Sequence, residues 1–184
     1  LDLVTIFIGL EVASISQYIL ASFRWRQVRS TEASVKYLLL GAFASGFLLY
    51  GIALVYGATG TTHLSEIATQ LAAAGVAENP LLLVGIGFLL VGLGFKVSAV
   101  PFHMWTPDVY QGAPTVVTAF MAAAPKVAVF AALLRLLGVS FDAARPGWTP
   151  LLWWMAALTM VIGNILALVQ KDMKRMLAYS AIAH

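Results

Sequence analysis

Five side chains able to carry a proton stand in or beside stretches that are otherwise strongly apolar: Glu11, Lys36, Lys96, His103 and Lys126. A charged side chain at the centre of a bilayer costs about 2.5–3.5 kcal/mol on insertion scales, so an ionisable residue inside a span is a candidate functional site. Glu11 has Ser14 and Tyr18 at i+3 and i+7, a polar stripe on one helix face that must turn toward other helices and away from lipid. Lys96 stands just before Pro101 and Pro107, either of which interrupts a helical hydrogen-bond ladder. Backbone broken at membrane depth is tolerated only where it is buried in protein or lines a watery cavity, so hydration is expected beside Lys96. Lys126 follows Pro125 and continues a stripe of Thr115, Thr118 and Ala122 into the middle of its span, too deep for easy snorkelling. The chemistry open to such groups is proton transfer. Glu11 and Lys96 are expected to form a switchable ion pair, the making and breaking of which loads and unloads the lysine. Counted from the ends of their spans, Lys96 is the shallower by roughly 10 Å at 1.5 Å per residue, a gap that water or the lysine stem has to close.

Each residue also has a plainer role open to it. Glu11 could be a counter-ion that only holds the bundle together. Lys36 has Glu32 four residues before it, the favourable order for a helix ion pair. His63 reads as a solvated loop histidine, Asn164 as a hydrogen bond across helices, and the 41/45 and 42/46 pairs of small residues as packing faces. No cysteine and no zinc-type spacing of ligands occurs, so a thiolate metal site is excluded.

The elements that must position these groups follow from composition. With 61% hydrophobic residues, 10% charged and a mean hydropathy of +0.90, the chain has more apolar surface than one soluble domain of 184 residues can bury. An all-α, polytopic transmembrane bundle is predicted, with about five full spans over 1–23, 37–57, 80–100, 114–137 and 149–170. A sixth begins near Met176, and a proline-broken helix falls near 97–101. Despite a net charge of +3, the basic residues form no patch that could track phosphates, and nucleic-acid binding is set aside. Arg24, Arg26 and Arg29 in the linker 24–36, and Lys171, Lys174 and Arg175 in 170–175, place both segments in the cytoplasm. Segments 58–79 and 138–148 then face the other side, with a short interfacial helix in the former and Trp148, Trp153 and Trp154 as an aromatic anchor. Ser30 or Thr31 is the expected cap of the second span, and Gly87, Gly92 and Gly94 suit close packing. The chain does not begin with Met and closes on MLAYSAIAH, and it reads as an internal fragment of a longer protein.

The runs GFKVSAVPFHMWTPDVYQGAP, AAAPKVAVFAALLRLL and NILALVQKDMKRMLAYSAIAH together resemble the antiporter-like membrane subunits of bacterial respiratory complex I. WTPDVYQGAP, with Val109 and Tyr110 after Asp108, is closest to the N type and its plastid counterpart. The same family includes Mrp-type cation/proton antiporter subunits, the alternative identity. The resemblance implies that residues 1–184 are a single transmembrane domain holding one proton half-channel, a five-helix repeat with a broken helix, within a non-redox proton-pumping subunit of NADH:quinone oxidoreductase. It maps the family's proton-transfer glutamate to Glu11, the lysine of the broken helix to Lys96 and the central lysine to Lys126, and it suggests Lys36 and His103 as auxiliary positions. It further implies no cofactor in this chain, with FMN, iron–sulfur clusters and quinone elsewhere in the complex. The implied partners are the other membrane subunits and the lipid bilayer, in the bacterial inner membrane or, alternatively, an organellar one. Two readings of other classes stay open: a quinone-handling subunit using His103 and Tyr110, and a structural scaffold.

Overall fold

The structure is a computed structural model that describes residues 1–72 and 76–184, so part of the predicted 58–79 segment lies outside the described residues. Among the described residues it is built of helices: α1 (Leu3–Ala21), α2 (Val28–Thr59), α3 (Leu64–Ala72), α4 (Pro80–Val97), α5 (Trp105–Gly112), α6 (Thr115–Arg135), α7 (Arg145–Leu168) and α8 (Met173–Ala183). A π-helical turn at Leu136–Ser140 extends α6, and a 3-10 turn at Asp142–Ala144 leads into α7. With those turns counted, five helices among the described residues are long and apolar enough to cross a membrane: α1, α2, α4, α6 and α7.

The ends of these helices are set by local chemistry. Asp2 caps α1, its carboxylate accepting from the Val4 amide at 2.7 Å, and Asn79 caps α4 through the Leu81 amide at 2.9 Å with Pro80 in the first turn. Helix α2 starts nine residues earlier than the span predicted from Tyr37, because hydropathy marks the apolar stretch and not the polar turns that precede it on the same helix. Its N-cap is Gln27, and Ser30 does not cap it. Instead the Ser30 and Ser34 hydroxyls donate to the carbonyls of Ala21 and Tyr18, both at 2.7 Å, and so close the end of α1. Helix α7 likewise begins at Arg145 and not at 149, and Trp148 is not a surface anchor: it is buried, its indole N–H donating to the Phe141 carbonyl at 2.8 Å. Trp153 and Trp154 are exposed.

The central contact is α2 against α4. A methyl group at Gly51 would lie 2.8 Å from the Leu89 nitrogen and 2.9 Å from the Gly85 oxygen, so the two backbones touch as no larger residue would let them. Gly92 does the same against Leu48, whereas Gly87 faces open space. Of the two small-residue pairs in α2, only Gly41 and Ser45 are buried; Ala42 and Gly46 face outward. Gly41 leaves room for the Tyr18 hydroxyl, with which a methyl group there would collide.

The bundle has two distinct ends. At one, Leu3 donates to the Thr62 carbonyl and Leu64 to that of Leu1, each at 3.0 Å, pinning α1 to the loop before α3. His63 lies there, largely exposed, with Nδ1 3.5 Å from the Asp2 carboxylate. Helix α3 turns Leu64, Ile67 and Leu71 inward, as a short amphipathic helix should. At the other end the basic segments gather around α5.

Candidate functional site

The site is organised by the interruption between α4 and α5. Helix α4 stops at Val97 because Ser98 takes a left-handed conformation, φ 67° and ψ 31°, and the Ala99 amide closes on the Gly94 carbonyl at 2.8 Å. A non-glycine residue there is strained, which is common where function constrains the backbone. Ser98 is fully buried, and its hydroxyl accepts from that of Thr106 at 2.6 Å. Two further bonds hold the break: the Trp105 indole donates to the Phe95 carbonyl at 2.9 Å, and the Val100 amide donates to the Thr159 hydroxyl of α7 at 2.8 Å. The prolines act differently from the expectation. The helix has already ended before Pro101. Pro107 sits in the first turn of α5, where its missing N–H costs nothing, and the His103 carbonyl accepts instead from the Thr106 amide at 3.0 Å.

Immediately before this break Lys96 is buried, its side chain 6% exposed, with Nζ 3.2 Å from a Glu11 carboxylate oxygen. It also donates to the Ser14 hydroxyl, which in turn donates to the Leu10 carbonyl at 2.6 Å. Ser45 of α2 donates to the same Glu11 oxygen at 2.6 Å. A buried ammonium is tolerated when its charge is matched and its protons find acceptors; here α1 supplies both the carboxylate and the hydroxyl, and Ser45 of α2 supports the carboxylate. The depth mismatch counted along the sequence is closed by direct contact. The pair is walled by aromatic rings: Tyr37 stacks on Trp105 with centroids 4.4 Å apart, Tyr18 meets Tyr37 edge-on at 4.7 Å, and the Tyr37 hydroxyl donates to Gln17 at 3.0 Å.

Lys126 stands apart from this cluster. Its Nζ donates to the Ala181 carbonyl of α8, and among the described residues no carboxylate pairs with it. It borders a cavity of about 480 Å³ that Thr159, Gly94 and His184 also line. A second cavity, of about 260 Å³, holds Lys96, Ser14, Gln17 and Tyr37 and is walled by Met121 and Pro125 of α6. Thr118, one member of the stripe leading to Lys126, donates to the Tyr110 carbonyl at 3.1 Å, while Thr115 is exposed.

Of the auxiliary positions, Lys36 bonds Glu32 at 2.7 Å as expected, and also Asp108 of α5 at 2.9 Å. Asp108 is the hub of an end-on cluster. Its other oxygen accepts from Arg175 of α8 at 2.6 Å, and Lys174 caps the last carbonyls of α5, Ala113 at 2.8 Å and Gln111 at 3.2 Å. Burial works against ionisation of Asp108, but its two cationic partners outweigh it and hold the carboxyl below its ordinary value of 3.8. His103 is not drawn into either set: its Nδ1 is buried without a partner. Asn164 is exposed and donates to the Met160 carbonyl of its own helix at 2.8 Å, not across helices. Sequence reasoning did not find Ser45, Thr159 or the pairing of Asp108 with Arg175. By spacing alone Ser45 is a small packing residue, and Arg175 marks only membrane orientation. Among the described residues no group of three or more His, Cys, Asp or Glu side chains converges as a metal site.

All of residues 1–184 match the family model described as NADH:quinone oxidoreductase/Mrp antiporter, transmembrane. The NADH-quinone oxidoreductase subunit N of Trichlorobacter lovleyi is 58% identical over 183 residues, which are 100% of this chain and 38% of that protein. A chain of respiratory complex I from Thermus thermophilus, solved with bound aureothin, aligns with a TM-score of 0.83 at 50% identity over 100% of this chain and 38% of its own length. A chain of the Mrp complex from Dietzia aligns equally well in shape, TM-score 0.84, at 26% identity over 99% of this chain and 34% of that one. The chain thus spans little more than a third of the length of the relatives it matches.

Proposed function

We infer the function from one premise: the chain belongs to the NADH:quinone oxidoreductase/Mrp antiporter transmembrane family, and within it resembles the N subunits of complex I. It is a multi-pass membrane segment whose relatives are subunits of an oxidoreductase complex. The proposed role is proton translocation through Glu11, Lys96 and Lys126, driven by electron transfer elsewhere in the complex, with Lys36 and His103 as auxiliary positions. This chain supplies no redox group in that scheme: FMN, iron–sulfur clusters and quinone belong to other parts. The proposed setting is the bacterial inner membrane, among the other membrane subunits, with one half-channel inside residues 1–184.

One observation carries this reading: a buried lysine, paired at 3.2 Å with a partly exposed glutamate, sits directly before a strained break that two cavities flank. A carboxylate and an ammonium at about 4 Å and an effective dielectric of about 20 attract by on the order of 4 kcal/mol, so moving them apart by a small backbone shift changes strongly how the lysine holds its proton. The Mrp branch is the weaker fit, because this chain shares 26% of its residues with the Mrp structure against 50% with the complex I structure at nearly the same shape similarity. The test is a double-mutant cycle on proton pumping by the full complex, using Glu11→Gln and Lys96→Met. A coupling of about 0.5–3 kcal/mol between the two is expected, and purely additive losses would sink the switch.

A further inference from the structure

Helix α6 runs between the two lysine cavities, and its internal proline stands in the dividing wall. Pro125 and Met121 line the Lys96 cavity, while the next residue, Lys126, borders the other. Proline has no N–H, so the Met121 carbonyl, which in an unbroken ladder would accept from residue 125, loses that partner. A helical carbonyl points along the axis toward the residue four positions on, so this one is aimed at the Pro125 ring, on the face both residues turn to the cavity. Met121 as a whole residue is only 2% exposed, so its backbone oxygen is buried with it. A buried carbonyl without a partner is costly, and water in a polar cavity is the ordinary remedy. A volume of about 260 Å³ accommodates several waters, and Lys96, Ser14 and Gln17 offer them further hydrogen-bond partners.

We propose that the Met121 carbonyl is a hydrogen-bond station for water linking Lys96 to Lys126 across α6. Pro125 is then a positioning residue for proton transfer, because it takes this one acceptor out of the helix ladder and turns it over to the cavity. The inference rests on the proton-transfer role of the two lysines given above and adds the route between them. Restoring an N–H at residue 125 returns the carbonyl to the helix and removes the station.

The test uses the full-length subunit in its assembled complex. Pro125→Ala is expected to assemble normally, to keep or raise its thermal midpoint, and to slow pumping about tenfold, the rate equivalent of roughly 1.4 kcal/mol. A purely structural proline would show the reverse, a lower midpoint with pumping per assembled complex unchanged, and that result overturns the proposal. Lys126→Ala measured alongside separates the two levels. If it pumps normally, the underlying proton-transfer role fails; if it stops pumping while Pro125→Ala runs at full rate, only the carbonyl station is overturned. Should Pro125→Ala not assemble, the unmutated subunit labelled with 1-¹³C methionine is used. The Met121 amide band, assigned by difference against Met121→Leu, is expected at the position of a water-bonded carbonyl, and a band at the frequency of a carbonyl without hydrogen bonds overturns the proposal.

Discussion

Two lysines sit deep in this bundle under different terms. Lys96 is held by a carboxylate and a hydroxyl from a neighbouring helix, so its charge is matched by a charge. Lys126 is held by a main-chain carbonyl, so its charge meets only a dipole, beside a larger cavity. A matched charge resists removal of its partner, whereas a lysine on a carbonyl can gain or lose its proton without stranding an opposite charge. On the proposed function this divides the labour: Lys96 is gated by the geometry of its pair, and Lys126 is a relay whose occupancy follows its supply of water.

That contrast is open to attack at several strengths. The largest effect should come from Glu11→Gln, which strands the Lys96 ammonium. A loss of about 3–5 kcal/mol in stability is expected, seen as reduced assembly or a lower thermal midpoint, and Glu11→Gln with Lys96→Met should recover much of it. An equally stable single variant would mean that Lys96 does not depend on its partner.

Lys126→Ala should do the opposite, leaving assembly near normal while proton pumping falls by about 100-fold, the low end of what a positioned proton-transfer group contributes. Failure to assemble would make Lys126 a structural residue and erase the distinction.

Ser45→Ala removes one neutral donor from Glu11 and should cost about 1 kcal/mol, measured by thermal unfolding. The corresponding effect at the lone Lys126 contact has no side-chain counterpart to delete.

The smallest effect is expected at Asp108, whose cations sit at the rim of the bundle. Its carboxyl is held below 3.8 when folded, so its pairing stabilises the fold above that value and is lost only as pH falls through the lower folded value. Asp108→Asn should therefore show a slightly lower thermal midpoint than the unmutated protein at neutral pH, and the difference should close at strongly acid pH. A difference that grows on acidification would reverse the assignment. Orientation has its own check: cysteines placed at Gln27 and Thr62 should label from opposite sides of the membrane, with Gln27 reached from the cytoplasm.

The sequence by itself determined the class, the spans and the suspicious residues. Hydropathy and length do not depend on neighbours in space, so the crossing helices, the break after Lys96 and the charged residues within spans at positions 11, 96 and 126 were all legible. Helix starts were less so: the polar first turns of α2 and α7 carry no hydropathy signal, and their N-cap residues, Gln27 and Ala144, make no side-chain capping bond that a sequence signature could announce. Only the tertiary structure decided the partners. Glu11 meets Lys96 across 85 residues and Ser45 across 34, and Lys126 meets Ala181 across 55. Which hydroxyl or carbonyl reaches a given lysine depends on the rotation and depth of each helix against the next, and that register is set by close contacts such as Gly51 on Gly85 and Leu89. Periodicity along one helix describes its own face and is silent on what that face will touch, so a serine that looks like packing can complete an ion pair.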